Sequence, residues 1–262
     1  MHVVTGGWLP LFLHHALFLA VTAVATLTQT LTGFAFGLVF LALMACLHLA
    51  PLPAAANVVN VMVLANAALL VRHRPQLPAG VSLPIYGSSL AGVALGVALL
   101  GWISGSAVIV LRLLLGIAVL VCSLLLVVAR RRRETVSGKR SFAFFGALSG
   151  VMGGLFASAG PPMVFQMYRQ PLAAGTIRDT LVLLFAVNAV LRLLLIIPQG
   201  RFDALSLTLS IEALPVVLGL TWLCKRHPPR LSPTVVKRVV FVLLLGAGLS
   251  LVVPAAHHLL VA

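Results

Sequence analysis

Acidic side chains are almost missing from this chain. Glu134, Asp179, Asp203 and Glu212 are the only four, against 18 Lys and Arg in 262 residues, and all charged types together reach 8%. A soluble domain carries roughly 25%. So few charges cannot build a water-facing shell, which excludes a soluble globule. Disorder is excluded as well, because its signature is low hydrophobicity and this chain is 61% apolar with a mean hydropathy of +1.15. Cysteine is scarce too. Cys46, Cys122 and Cys224 are odd in number and each lies in an apolar stretch, so they read as small packing residues. They give no disulfide framework and no CxxC metal site.

The same scarcity argues against an enzyme. An intramembrane catalyst needs a nucleophile with a base, or a cluster of metal ligands. The acids are scattered, and four of the eight histidines occur as the peripheral neighbours His14-His15 and His257-His258. Adjacent residues point in different directions on a helix, so these pairs serve one metal ion poorly. No metal and no cofactor is expected. The net charge of +14 does not imply nucleic acid either. On an apolar chain a basic excess reports the positive-inside rule.

What is present is a series of long apolar runs, at about 9–31, 34–50, 54–71, 82–101, 107–129, 142–157, 161–169, 176–198, 205–224 and 235–261. Most reach the roughly 20 residues that a crossing needs. The run 9–31 has no basic segment before it and reads as a retained span. Trp8 and Trp102 stand at run ends, where an interfacial belt would place them. Two places break the helical pattern. Ala157-Ser158-Ala159-Gly160-Pro161-Pro162 is the stronger, and Thr32-Gly33-Phe34-Ala35-Phe36-Gly37 the milder. Backbone freed at membrane depth must be buried in protein or line a polar cavity. Each break is therefore a re-entrant hairpin tip or a discontinuity in a crossing helix.

The breaks belong to a repeat. Gly37 matches Gly160, Asn66 matches Asn188, Gly96 matches Gly219 and Arg112 matches Arg238, in order and at a nearly constant offset. The expected organisation is a first transmembrane repeat over 1–129, a basic cytoplasmic linker over 130–140 and a second repeat over 141–262. The expected fold class is an all-α polytopic membrane protein of two inverted repeats. Each has a broken helix or re-entrant hairpin plus three crossing helices. Charge favours inversion. If each break returns to its own side, Arg72, Arg74, Arg130 to Arg133, Lys139, Arg140, Arg169, Arg178, Lys225, Arg226, Arg230, Lys237 and Arg238 all fall inside. Only Arg112, Arg192 and Arg201 remain on or near the outside. A parallel arrangement divides the bases almost evenly, against the positive-inside rule.

The run Gly153-Gly154-Leu155-Phe156-Ala157-Ser158-Ala159-Gly160-Pro161-Pro162 is followed by Ile177-Arg178-Asp179-Thr180 and by Phe185-Ala186-Val187-Asn188. This resembles the second repeat of the TauE/SafE sulfite exporter family, with its Gly-Pro-Pro break and Arg-x-Thr helix start. Gln29-Thr30-Leu31-Thr32-Gly33-Phe34-Ala35-Phe36-Gly37 is similar to that family's first-repeat break, and Gly246 and Gly248 fit its last helix. The chain departs from the pattern in lacking a glycine cluster at the first break and in carrying Asp179. The resemblance implies a multi-pass permease of the bacterial inner membrane, with cytoplasmic basic loops. It would move small sulfur-containing anions, sulfite or organosulfonates, by alternating access, with export the usual direction. The alternative is a membrane subunit that organises partners without transporting.

An oxyanion in the membrane needs hydrogen-bond donors and compensating charge. The N-termini of broken helices supply the donors and a positive dipole end. Thr30, Thr32, Gly33 and Gly37 at one break, and Ser158, Gly160 and Pro161 at the other, are the expected substrate site, rather than close packing through small residues. Arg178, beside Thr176 and Thr180, is the leading charged ligand. It reads equally as a boundary anchor or as the ion partner of Asp179. Arg192 reads as an anchor before a ligand. Asn57, Asn60 and Asn188 bring amides that serve either a cavity or interhelical hydrogen bonds, and so does Asn66. Gln29 and Gln166 flank the breaks and are cavity candidates. Glu212 and Asp179 are candidate proton carriers. The expected partners are a small anion and the lipid bilayer, with a homo-oligomer left open.

Overall fold

The computed structural model describes residues 8–71, 77–78, 80–103, 108–128, 133–227, 241–242, 245–246, 248–249 and 252–253. Outside them lie Arg72, Arg74, Arg130, Arg131, Arg132, Arg230, Lys237, Arg238, the pair His257-His258 and most of the tenth apolar run.

Every regular element among the described residues is a helix. In chain order they are α1 (Trp8–Thr32), α2 (Phe36–Cys46), α3 (Leu52–Leu70), α4 (Ser82–Ile103), α5 (Val108–Val128), α6 (Lys139–Phe156), α7 (Gly160–Tyr168), α8 (Ala174–Ile196) and α9 (Ala204–Arg226). Five stretches are long and apolar enough to cross a membrane: Phe12–Thr30, Leu52–Leu70, Ser82–Trp102, Ala174–Ile196 and Ala204–Arg226. The chain is an all-α polytopic membrane protein. Its threonines tolerate this setting because their hydroxyls bond back to carbonyls four residues earlier. Thr22 donates to Phe18 O, Thr26 to Thr22 O and Thr28 to Val24 O at 2.7–2.9 Å. Large apolar side chains such as Phe12, Leu83, Trp102, Leu194 and Ile211 are exposed and offer a surface suited to lipid.

Both breaks are hairpin tips. The rings of Phe18 in α1 and Phe40 in α2 lie 6.1 Å apart, and those of Phe145 in α6 and Phe165 in α7 lie 5.9 Å apart. If α2 simply continued α1, Phe18 and Phe40 would stand about 33 Å apart at 1.5 Å per residue. The short helices α2 and α7 therefore fold back along α1 and α6. Each turn is made by an alanine in the left-handed region, Ala35 at φ 74° and Ala157 at φ 54°. Such a conformation costs an L-residue roughly 1–2 kcal/mol, so tertiary packing must hold it. Gly33 at φ 79° shares the load at the first tip, where an L side chain would be strained.

Around the hairpins α3 and α8 are central and α4 and α9 peripheral. Of their apolar windows, 61% of α3 and 50% of α8 are buried, against 33% of α4 and 28% of α9. α4 packs on α6 and α9 on α1; α4 also meets α8, and α9 meets α3. The α4–α6 contact is the closest. Gly92 and Gly96 face Gly150 and Gly154 so tightly that an added Cβ would strike backbone of the facing helix. α9 starts at Asp203, whose carboxylate accepts from Ser206 N at 2.9 Å and Ser206 Oγ at 2.5 Å. It ends with Lys225 and Arg226 in the last turn, which suit a helix C-terminus. Lys225 Nζ reaches the carbonyl of Leu69 at the end of α3.

Candidate functional site

The two tips meet. Gly37 opens α2 so close to Ser158 that an added methyl would stand 3.2 Å from Ser158 Cβ and Oγ. Beside this contact lies a small, partly open pocket. Residues of both breaks line it, Phe34 to Gly37 from one and Ala157 to Gly160 from the other. Asn60 of α3, Asn188 of α8 and Gln29 of α1 complete its polar wall.

No charged residue lines this pocket among the described residues. Its donors are amides, one hydroxyl and helix N-termini. α2 begins at Phe36 and α7 at Gly160, and no side chain caps either. The first N–H groups of a helix lack intrahelical acceptors, so both starts present a positive dipole end to the pocket. The ends are unequal, because Pro161 and Pro162 carry no N–H. α2 offers a run of N–H groups at Phe36, Gly37 and Leu38, whereas α7 offers Gly160 before the prolines.

Gln29 is the least satisfied polar residue there. Its side chain is 1% exposed, and among the described residues neither Oε1 nor Nε2 has a hydrogen-bond partner. A buried amide without partners costs about 1–3 kcal/mol per group, so a polar guest would relieve it. Asn60 holds Ala56 O at 3.0 Å through Nδ2, and Asn188 is paired with Ser89 Oγ at 2.8 and 3.1 Å. Asn66 donates to Thr221 Oγ1 at 3.0 Å, away from the pocket lining.

Of the residues expected at the site, the pocket thus gathers Gly37, Asn60, Ser158, Gly160 and Asn188. The others lie outside its lining. Pro161 is buried in the first turn of α7. Thr30 is buried beside Gln29, and its hydroxyl has no partner. Thr32 folds the first tip: its hydroxyl donates toward Thr28 O at 2.6 Å and Phe34 O at 2.8 Å and accepts from Phe34 N at 3.3 Å. Tyr168 OH donates to Thr32 O at 2.9 Å, tying the end of α7 to the tip of the other hairpin. Gln166 donates to Ser141 Oγ at 3.0 Å and leaves Oε1 buried without a partner. Thr180 bonds within its own helix, to Thr176 O at 2.6 Å.

Arg178 lies under the first tip rather than in the pocket wall. A methyl on Gly33 would come within 2.7 Å of Arg178 Cγ, so the arginine stem runs against the turn. Its Nε is buried without a partner, and no ion pair with Asp179 forms. Glu212 has a partner that its local sequence lacks, His15 Nδ1 at 2.8 Å, which joins α9 to α1 away from the pocket. Asn57 faces a different group of residues. Its Nδ2 donates to Arg201 O at 2.8 Å and Ser206 Oγ at 3.0 Å, and its Oδ1 accepts from Arg192 at 3.2 Å.

Arg192 is the residue whose setting local sequence reading missed. It is 2% exposed and among the largest fully buried side chains of the protein. A boundary anchor would reach out to the interface instead. The available signal was its position four residues after Asn188, on one helix face.

Transporters of several folds frame their sites with interrupted helices, and here two breaks meet at one uncharged pocket. The family described as sulfite exporter TauE/SafE matches residues 17–251. The chain belongs to the TauE/SafE family. A Cupriavidus necator protein named "Probable sulfite/organosulfonate exporter TauE" is 36% identical over 241 residues, which cover 90% of this chain and 93% of that one. No solved structure matches. TauE/SafE proteins are membrane exporters and not enzymes, and the match runs through both hairpins and the pocket between them.

Proposed function

We propose that this TauE/SafE protein is a permease of the bacterial inner membrane that exports sulfite or a small organosulfonate by alternating access. The observation that carries the reading is the meeting of both hairpin tips around one pocket holding the unpartnered amide of Gln29. The name of the Cupriavidus necator relative supplies the sulfur-anion class. An oxyanion accepts hydrogen bonds only, and the pocket offers the Gln29 and Asn60 amides, Ser158 Oγ and the N–H groups that open α2. Compensation for its charge comes from two helix dipoles rather than from a cation in the wall. Arg178, with its unpartnered Nε under the first tip, receives the anion on the cytoplasmic side and feeds it to the pocket. An inside-negative potential drives an anion outward, at about 2.3 kcal/mol per charge per 100 mV. Proton coupling is not needed for this, and Glu212 is held by His15 away from the pocket.

The halves act as inverted repeats in this reading, with residues 130–140 and the basic loops in the cytoplasm. Helix directions support it. The start of α3 meets the end of α8 through Asn57 and Arg192. α3 runs along α9, from Asn57–Ser206 through Asn66–Thr221 to Leu69–Lys225. α4 runs with α8, from the Ser89–Asn188 bond to Gly101 beside Arg201. Equivalent helices of the two halves thus run in opposite directions. The test is sulfite efflux from proteoliposomes under an imposed potential. Saturable efflux that follows the potential is expected. Absence of flux for sulfite and for small sulfonates alike would overturn the proposal.

A further inference from the structure

The polar wall of the pocket continues one turn toward the end of α8. Asn188 on α8, Asn60 on α3 and Gly153 on α6 line the pocket. Arg192 lies four residues beyond Asn188 and Asn57 three residues before Asn60, so each shares the face of its pocket residue. Gly154 follows Gly153. These three neighbours bond to one another: Arg192 Nε donates to Gly154 O at 2.9 Å, and Arg192 NH1 donates to Asn57 Oδ1 at 3.2 Å. They adjoin the pocket lining at that end and place a guanidinium there.

The chemistry of this closure is unusual. Arg192 is 2% exposed, and among the described residues no carboxylate lies within ion-pair distance. A cation inside a membrane span is expensive unless its charge is compensated. Here two neutral oxygens do the holding. Gly154 lies in the last turn of α6, where carbonyls lack intrahelical donors and the dipole end is negative. The α6 break that presents a positive helix start to the pocket thus also presents the negative end that holds Arg192. Asn57 is tied in turn to Ser206 Oγ and Arg201 O, so the latch spans α3, α6, α8 and the start of α9.

We propose that Arg192 is an anion-operated gate at the exit end of the pocket. An anion leaving the pocket is a better partner for a guanidinium than a carbonyl or an amide oxygen. It takes over Arg192, frees Asn57 and the end of α6, and opens the route toward the loop 197–203. After release the guanidinium returns to Gly154 and Asn57 and seals the pocket. Arg178 at the first tip and Arg192 at the second stand about 21 Å apart along α8 at 1.5 Å per residue. One helix therefore carries the receiving and the releasing cation, with a neutral site between them. This inference rests on the transport reading above.

The test uses the full-length protein in proteoliposomes, with Cys46, Cys122 and Cys224 replaced by alanine and Ala189→Cys as a reporter in the pocket. A second reporter, Gln199→Cys, identifies the side that carries residues 197–203. A membrane-impermeant thiol reagent is added on that side. Slow labelling of Ala189→Cys is expected, rising about tenfold or more with Arg192→Met. That is the size expected when charge-assisted hydrogen bonds are removed from one side of a two-state equilibrium. Sulfite should raise the rate in the protein that keeps Arg192. Asn57→Asp supplies the missing carboxylate, at the cost of the bond donated to Arg201 O, and should lock the gate: labelling stays slow and flux falls about tenfold or more. Labelling unchanged by Arg192→Met in folded protein would overturn the gate. So would wild-type flux in Asn57→Asp, and this variant decides alone if Arg192→Met does not fold. If the native chain moves neither sulfite nor sulfonate, the transport proposal fails, while the labelling still reports whether Arg192 closes the pocket.

Discussion

Gly37 and Gly160 flank the same pocket, one at each hairpin tip, yet the structure gives them opposite tolerances. A methyl on Gly37 would stand 3.1 Å from Val59 Cγ1 and 3.2 Å from both Ser158 Cβ and Ser158 Oγ. A methyl on Gly160 would meet only Leu38 Cδ1, at an ordinary 3.6 Å. Overpacking of a filled site costs about 1–3 kcal/mol. Alanine in place of a helical glycine returns up to about 1 kcal/mol, less near a helix start. Gly37→Ala should therefore lie about 0–3 kcal/mol below the native protein, and Gly160→Ala level with it or slightly above. The propensity gain is common to both, so the two variants differ by the overpacking cost; at roughly 2–4 °C per kcal/mol for a chain of this size they should melt about 2–12 °C apart. The assay is the fraction of monodisperse protein left after heating in detergent, beside sulfite efflux from proteoliposomes. Gly37→Ala should also lose most of its flux, because the methyl separates the two tips. Equal melting temperatures and equal flux would refute the claim that the hairpins touch at Gly37 and Ser158.

Other consequences are as specific. Arg178→Gln should cut sulfite efflux about tenfold or more while leaving the melting temperature nearly unchanged, since Arg178 makes no ion pair to lose; undiminished efflux would remove it from the pathway. A cysteine at Glu134 should be labelled only from the cytoplasm and one at Gln199 only from outside, in a background without native cysteines; the reverse or a shared side would overturn the inverted topology. Asp203→Ala should cost about 1 kcal/mol at neutral pH through loss of the α9 cap. Hydrogen bonds from Ser206 hold the Asp203 carboxyl below the usual aspartate range. Its stabilisation is therefore complete above the ordinary aspartate pKa and fades as pH falls through the lowered one. Melting curves of Asp203→Ala and native protein should converge at acid pH.

Much of the architecture is legible in one dimension because its determinants are local. Run length and hydropathy mark the crossing helices, and Gly160-Pro161-Pro162 marks the second break before any fold is known. The alanines that make the turns are a different case. Ala35 and Ala157 adopt a left-handed conformation that alanine does not favour, so only surrounding packing imposes it. Nor does local sequence tell a hairpin from a broken crossing helix. That outcome depends on ring pairs such as Phe18–Phe40 and Phe145–Phe165, each formed across a tip.

The candidate site divides along the same line. Residues at the breaks reach the pocket because the chain itself puts them there: Gly37, Ser158 and Gly160 needed no tertiary information beyond the meeting of the two tips. Residues on unbroken helices are another matter, since an apolar helix in an apolar solvent shows no polar face to orient it. Asn57 and Asn60 are three residues apart, yet Asn60 lines the pocket while Asn57 holds Arg192. His15 and Glu212 become partners across 197 positions of sequence. Composition, length and breakers alone made this chain a helical membrane protein with two interruptions. Only tertiary packing decided which amides face the pocket and which arginine is sealed inside, because helix rotation is set by neighbours that lie far away in the chain.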